Sequence, residues 1–138
     1  MWSRLDEVDR AAAVAWALEH DVCGVGGRLE APPRDLEDAV NQVACAWDGR
    51  VAARLRRFAE VEDGAHVWTR DAGGLFHEGV LRGAWSYDGS RAAYAVDLTH
   101  VRPCTWSDTP VDPPPAVLET FARGGRNFQR IRSHPERG

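Results

Sequence analysis

Two pairs of side chains, Trp68 with Arg70 and Trp85 with Tyr87, set out the chemistry open to this 138-residue chain. The partners in each pair are two positions apart, so on an extended strand they share a face while Thr69 or Ser86 points the other way. A ring stacked on a nucleobase is worth roughly 1–3 kcal/mol, and a neighbouring guanidinium can read the base edge. Such a pocket takes an extruded or modified base without needing heavy positive charge. The same rings also admit a structural reading, in which Trp68 and Trp85 seal the ends of a small barrel as core residues. On sequence alone both readings stand for both residues.

Other chemistry is sparse. The five histidines (His20, His66, His77, His100, His134) are dispersed and show no zinc spacing. His77 and Glu78 are adjacent, so on a strand they point to opposite faces and do not share a site. No G-x-S-x-G elbow is present, and no Cys–His pair has a recognisable local context. Gly24-Val25-Gly26-Gly27 has Leu29 where a dinucleotide fingerprint requires its third glycine. All 17 basic residues are Arg, which a GC-rich genome explains. Walker-type phosphate loops, Schiff-base chemistry and nuclease cores with a catalytic Lys are thereby excluded. With no acid–base or metal constellation, the expectation is a non-catalytic chain without a cofactor.

Charge is uneven: the formal net charge is −4, with −5 over residues 1–64 and +1 over residues 65–138. Five Arg and one acid lie between Ala122 and Gly138. A basic end on an acidic domain permits a local phosphate contact, because Arg pairs with phosphate bidentately. It does not support sequence-blind binding along a duplex, which needs many phosphate contacts. Cys23, Cys45 and Cys104 share no metal-ligand spacing and read as thiols of a reducing cytoplasm. No basic-then-apolar segment opens the chain, and no run approaches the ~20 apolar residues of a membrane span. Neither a signal peptide nor a membrane partner is therefore expected.

The elements that must position these residues can be read in turn. Met1–Leu5 reads as a short strand, and Asp6 caps a helix from Glu7 to about Glu19. Val22–Val25 reads as a buried strand or turn. Asp35 caps a second helix, whose stripe is Leu36, Ala39/Val40, Val43 and Trp47. A third runs from Arg50 to Ala59, with Val51, Leu55 and Phe58 on one face and Arg50, Arg54 and Arg57 on the other. That basic face is either merely solvated or a phosphate contact. His66–Arg70, Leu75–Leu81 and Tyr94–Val101 are predicted antiparallel strands in one continuous meander, with a bend at Trp85-Ser86-Tyr87. The turns Asp71-Ala72-Gly73-Gly74 and Asp88-Gly89-Ser90 supply the positive φ angles that tight connections need. Pro115 to Ala122 is a short helix with Val117, Leu118 and Phe121 inward. Asn127–Arg132 is a last strand pairing into the same sheet.

Val67-Trp68-Thr69-Arg70-Asp71, then G-x-L-x-G-x-W-x-Y from Gly79 to Tyr87, then Val101-Arg102-Pro103-Cys104-Thr105-Trp106 resemble the barrel segment of small PUA-like domains. The nearest branch is EVE-like and YTH-like, found in prokaryotes beside restriction and anti-phage defence enzymes. Asp21–Gly27 is similar to the segment after the first helix of such domains, and Gly124–Ile131 to their closing strand. The resemblance implies an α+β fold: a small, bent, PUA-like antiparallel β-barrel flanked by three to four helices. It would occupy residues 1–132 as one domain, with residues 133–138 as a flexible tail. It also implies a cytoplasmic nucleic-acid reader whose partner is DNA or RNA carrying a modified or flipped base. The pocket would lie between the Gly24–Arg28 loop and the strand bearing Trp68 and Arg70. Gly26, Gly27, Arg28 and Trp85 would contribute to it, with Tyr87, Arg126 and Asn127 on the rim. Where the family supplies an aromatic wall this chain has Gly27, whose bare backbone allows close approach to a ligand. That departure and the net acidity favour an alternative, a protein-interaction or regulatory module of a defence or toxin–antitoxin system, partnered by an effector encoded nearby.

Overall fold

The computed structural model describes residues 10–122 and 129–130. In chain order the elements are α1 (Arg10–His20), β1 (Val22–Val25), α2 (Leu36–Ala46), α3 (Gly49–Glu60), β2 (His66–Arg70) and β3 (Phe76–Leu81). They continue with β4 (Ser86–Tyr87), α4 (Arg91–Ala95), β5 (His100–Trp106), α5 (Pro115–Ala122) and β6 (Gln129–Arg130). The fold is α+β. Its strands form one antiparallel sheet curled into a half-barrel, in the order β1-β5-β3-β2-β6, with β4 also on β5.

Local chemistry explains the element ends. Asp35 and Asp48 cap α2 and α3, accepting from Asp38 N at 2.8 Å and Val51 N at 2.9 Å. The β2–β3 turn closes on Asp71, whose carboxylate accepts from Gly73 N and Leu75 N at 2.9 and 3.0 Å. Gly74 takes φ 88° there, a conformation that favours glycine. His66 pairs opposite Val80 and Arg70 opposite Phe76, so the hairpin matches the alternation in its sequence.

β5 is the spine. His100, Arg102, Cys104 and Trp106 alternate onto its inner face and are all buried. One end of that face packs with Ala13 and Ala17 of α1, Cys23, Val67 and Leu81. The other end meets α2 and α3 through Val25, Leu29, Val40, Val43 and Leu55, with Trp85 and Tyr87 against them. Arg102, 2% exposed, joins the two ends. It donates to Gly83 O, Phe58 O and Asp63 Oδ1 at 2.8, 2.9 and 2.9 Å. Trp106 Nε1 donates to Val22 O at 2.9 Å, tying the far end of β5 to β1. On the outer face Trp68 packs with Val117 and Phe121 of α5.

The expected strand Tyr94–Val101 is not formed. Ser90 caps α4 by accepting from Ala93 N at 3.1 Å, and Ala92, Ala93 and Ala95 are strong helix formers. Asp97 then takes φ 51° and turns the chain into β5, which starts at His100 and runs on through Pro103. The continuous meander is therefore interrupted by a helix. The bend at Trp85-Ser86-Tyr87 contains β4, which pairs with Val101 and His100. Leu118, expected inward, is 48% exposed, because α5 turns Val117 and Phe121 towards Trp68 instead. Gln129–Arg130 pairs with Val67–Trp68, as the expected last strand requires. The expected strand Met1–Leu5, the first turn of the first helix, Arg126, Asn127 and the tail at 133–138 lie outside the described residues.

Candidate functional site

The segment leaving β1 is clamped by α4 and β5. Gly26 lies so close to Asp97 that an added Cβ would sit 2.6 Å from its Oδ2. Gly27, at φ 134°, donates from its N–H to Asp97 Oδ1 at 3.1 Å. Its carbonyl faces His100 Nε2 at 2.8 Å, while His100 Nδ1 lies 3.2 Å from Trp85 Nε1. The indole N–H can only donate, so Nδ1 is the acceptor and Nε2 carries the proton given to Gly27 O. His100 is thus a neutral imidazole with both nitrogens in use. Burial lowers its pKa to about 4, against the partial restoring effects of the Gly27 carbonyl and Asp97.

Three polar groups next to this form a closed ring. Leu29 N donates to Tyr87 OH at 2.9 Å, and Tyr94 OH donates to Leu29 O at 2.7 Å. With Tyr94's proton used, the hydroxyl contact between the two tyrosines must be donated by Tyr87. Burial, and then the Tyr94 hydroxyl, push the Tyr87 phenol well above its usual value, so it stays protonated. Arg28 donates from Nε to Tyr94 O at 2.8 Å, and its Nη2 reaches the same carbonyl. Two of the five guanidinium donors are thereby committed, which holds the group while leaving the others for a ligand.

Beyond the clamp lies a cavity of about 610 Å³ between this segment and α2. Arg28, Leu29 and Glu30 form one wall; Asn41, Gln42, Cys45 and Ala46 of α2, with Trp47, form the other. Gln42 Nε2 is held at 3.3 Å from Asp38 Oδ2, leaving its carbonyl as an acceptor. A half-buried indole, two carboxamides, one cation and one carboxylate suit a flat, polar, uncharged group. Pockets for small ligands span roughly 300–1,000 Å³.

The structure gathers some of the expected site residues and separates others. Arg28 lines the cavity, and Gly26, Gly27, Trp85 and Tyr87 belong to the hydrogen-bonded frame that holds it. Trp68 is 5% exposed among Val117, Phe121, Phe76 and Val111, so of its two readings the structural one holds. Arg70 is exposed on that outer face, its guanidinium 5.9 and 5.6 Å from the Phe76 and Phe121 rings. Two strands, β5 and β3, separate β1 from β2 in the sheet. Trp85 is half-buried, stacked on His100 with ring centroids 6.1 Å apart. Asp97, His100, Tyr94, Asn41, Gln42 and Trp47 were not singled out as site residues from sequence. The signals were Trp47 at the very end of its stripe and polar Asn41-Gln42 beside it.

Elsewhere, His66 Nδ1 meets Glu78 Oε2 at 2.6 Å and His77 Nε2 meets Asp71 Oδ2 at 2.8 Å, on opposite faces of the β2–β3 hairpin. Burial raises the Cys23 and Cys104 thiols, the latter to about 12, so both are held as inert thiols. Among the described residues no group of three His, Cys, Asp or Glu is placed to hold a metal ion, and no helix is long and apolar enough to cross a membrane. No family model, no curated protein and no solved structure matches the chain.

Proposed function

We propose that this chain is a non-catalytic reader module of the PUA-like kind, which takes a modified or flipped nucleobase of DNA or RNA into the cavity beside α2. The observation that carries this reading is the grouping of Trp47, Asn41, Gln42, Glu30 and the anchored Arg28 around one cavity of base-accommodating size. Trp47 offers a stacking surface, the carboxamides offer paired donors and acceptors, and Arg28 and Glu30 cancel in charge. The indole of Trp47 takes the place of the aromatic wall absent at Gly27. A frame of internal hydrogen bonds fixes the Gly26–Leu29 backbone, so little ordering is left to binding.

The test is a binding screen against oligonucleotides bearing different base modifications, followed by Trp47→Ala on the best binder. Loss of one stacked base is expected to weaken binding roughly 5- to 150-fold, the equivalent of about 1–3 kcal/mol, and to flatten discrimination among bases. Absence of any oligonucleotide binding at micromolar concentration defeats the reading. The protein-interaction or regulatory module, working with an effector of a defence or toxin–antitoxin system, then takes its place. Leu75 and Leu118, 54% and 48% exposed, are the observation favouring that second reading.

A further inference from the structure

The arginines of the chain have different fates. Arg102 is buried and bonded through all three of its nitrogens, Arg28 is anchored on Tyr94 O, and Arg56 pairs with Glu37 at 2.7 Å and Glu60 at 3.9 Å. Arg50, Arg54 and Arg57 of α3 are exposed, and none of them makes a hydrogen bond, ion pair or ring contact among the described residues. They are four and three residues apart, so they form a single stripe, opposite the buried Val51, Ala52 and Leu55. Like charges at these spacings destabilise a helix by a few tenths of a kcal/mol per pair, and among the described residues no ion pair offsets this. In a domain of net charge −4, this is a local concentration of positive charge retained against its own repulsion.

Its position relative to the cavity matters. α3 starts two residues after Trp47, the cavity's ring, and Arg50 is the second residue of the helix. At 1.5 Å per residue the stripe extends roughly 10 Å from that end. Neighbouring arginines stand about 6 and 4.5 Å apart along the axis, so their long side chains can reach successive phosphates of one strand. We infer that the Arg50–Arg54–Arg57 stripe of α3 is a phosphate track, holding the backbone of the single strand whose base enters the cavity. The inference rests on the reader function. It adds the orientation of the strand, which leaves the cavity past Trp47 and runs along α3. Each guanidinium can engage a phosphate bidentately, and an exposed stripe does so without first breaking an internal ion pair.

The experiment measures the salt dependence of binding for a mixed-sequence single strand of roughly 12 nucleotides, as DNA and as RNA, within the range of single-strand site sizes. The proteins are wild type, Trp47→Ala, Arg56→Gln and the triple variant Arg50→Gln, Arg54→Gln, Arg57→Gln. Each phosphate contact on a single strand adds about 0.7 to the slope of log affinity against log salt, so the triple variant should lower the slope by about 2. That is about a 100-fold loss at ~0.1 M salt, vanishing towards ~1 M. Trp47→Ala should weaken binding at every salt concentration with its slope unchanged, and Arg56→Gln should keep the wild-type slope. A triple variant that retains the wild-type slope while Trp47→Ala weakens binding overturns the track and leaves the reader standing. A lost slope with no effect of Trp47→Ala supports the track and overturns the cavity as the base site. A wild type that binds neither strand overturns both. Equal loss of slope in Arg56→Gln and in the triple variant also overturns the track, since it would report general charge instead of these three residues. All three positions are exposed, and melting curves of each variant confirm the fold.

Discussion

Acid should loosen this domain through one residue, His100. Both of its ring nitrogens are used within the frame that holds Gly27, and burial keeps its pKa at about 4 instead of the ordinary 6.5. Protonation at Nδ1 would also set a new N–H against the Trp85 indole N–H, a donor facing a donor. Because the folded pKa is the lower one, the unfolded chain takes up a proton between about pH 6.5 and pH 4 that the folded chain refuses. Stability therefore falls as pH drops across that window and is at its full value above it. Integrated over the two pKa values, the loss is about 2 kcal/mol from pH 7 to pH 5 and about 3 kcal/mol by pH 4. Glu37, Asp38 and Asp71, whose pKa values are lowered from 4.5, 3.8 and 3.8, lose their contributions only as pH falls below those figures. The upper part of the window therefore belongs to His100. Urea unfolding followed by tryptophan fluorescence at about pH 7, 6 and 5 measures it, on wild type and on His100→Gln. The variant should start from a lower stability and stay level where the wild type declines. A wild type that holds its stability from pH 7 to pH 5, or a His100→Gln protein with the same decline, would refute the reasoning.

Five further substitutions test the packing and the bonding around it. Phe121→Ala should cost about 3–5 kcal/mol and lower the melting temperature by roughly 10 °C or more, since the ring packs on Trp68 and edge-on to Phe76; a change of a degree or two would contradict the α5 contact. Gly79→Ala should lose about 1–3 kcal/mol in denaturant titration, because its Cβ would fall 2.5 Å from Cys104 Sγ and 2.7 Å from Trp106. Gly49→Ala, with nothing within 4 Å, should be neutral or slightly stabilising in the same titration. Arg102→Met should lose at least about 2 kcal/mol by stranding the Phe58 and Gly83 carbonyls, whereas Asp63→Asn should lose less than about 1 kcal/mol, its carboxylate being 65% exposed; comparable losses in the two would contradict the bonding described.

Where local chemistry decides the backbone, the sequence was a good guide. The Asp35 cap of α2, the Asp71–Gly74 turn and the Pro115 start of α5 each act within a few residues, and the strand His66–Arg70 has the bounds read from its alternation. α4 escaped because five residues are too few to show helical periodicity. Tyr94, Val96 and Leu98 also alternate as a strand would, while Ser90 and the alanines argued for a helix. The site was legible only in halves. Gly26, Gly27 and Arg28 were visible as a loop able to approach a ligand. The residues that clamp it, Tyr94, Asp97 and His100, are 65 to 73 positions away, and only the closed sheet brings them together. Trp68 is covered and Trp47 borders the cavity for a related reason. Which side of a ring a helix covers depends on where α5 and α2 dock, and pattern alone does not carry that information.

The place of β5 in the sheet imposes an order on folding. It pairs with β1, β3 and β4, and its partner β1 lies some eighty positions earlier in the chain. During synthesis α2 and α3 can pair as soon as their short connection has formed, and the β2–β3 hairpin can close on its own turn. β1 has no strand to accept it until His100–Trp106 emerges, and the frame around Gly27 cannot assemble before then. Cys23 therefore waits from its own synthesis until β5 has emerged, and only then can it close one cluster with Val67 and Leu81.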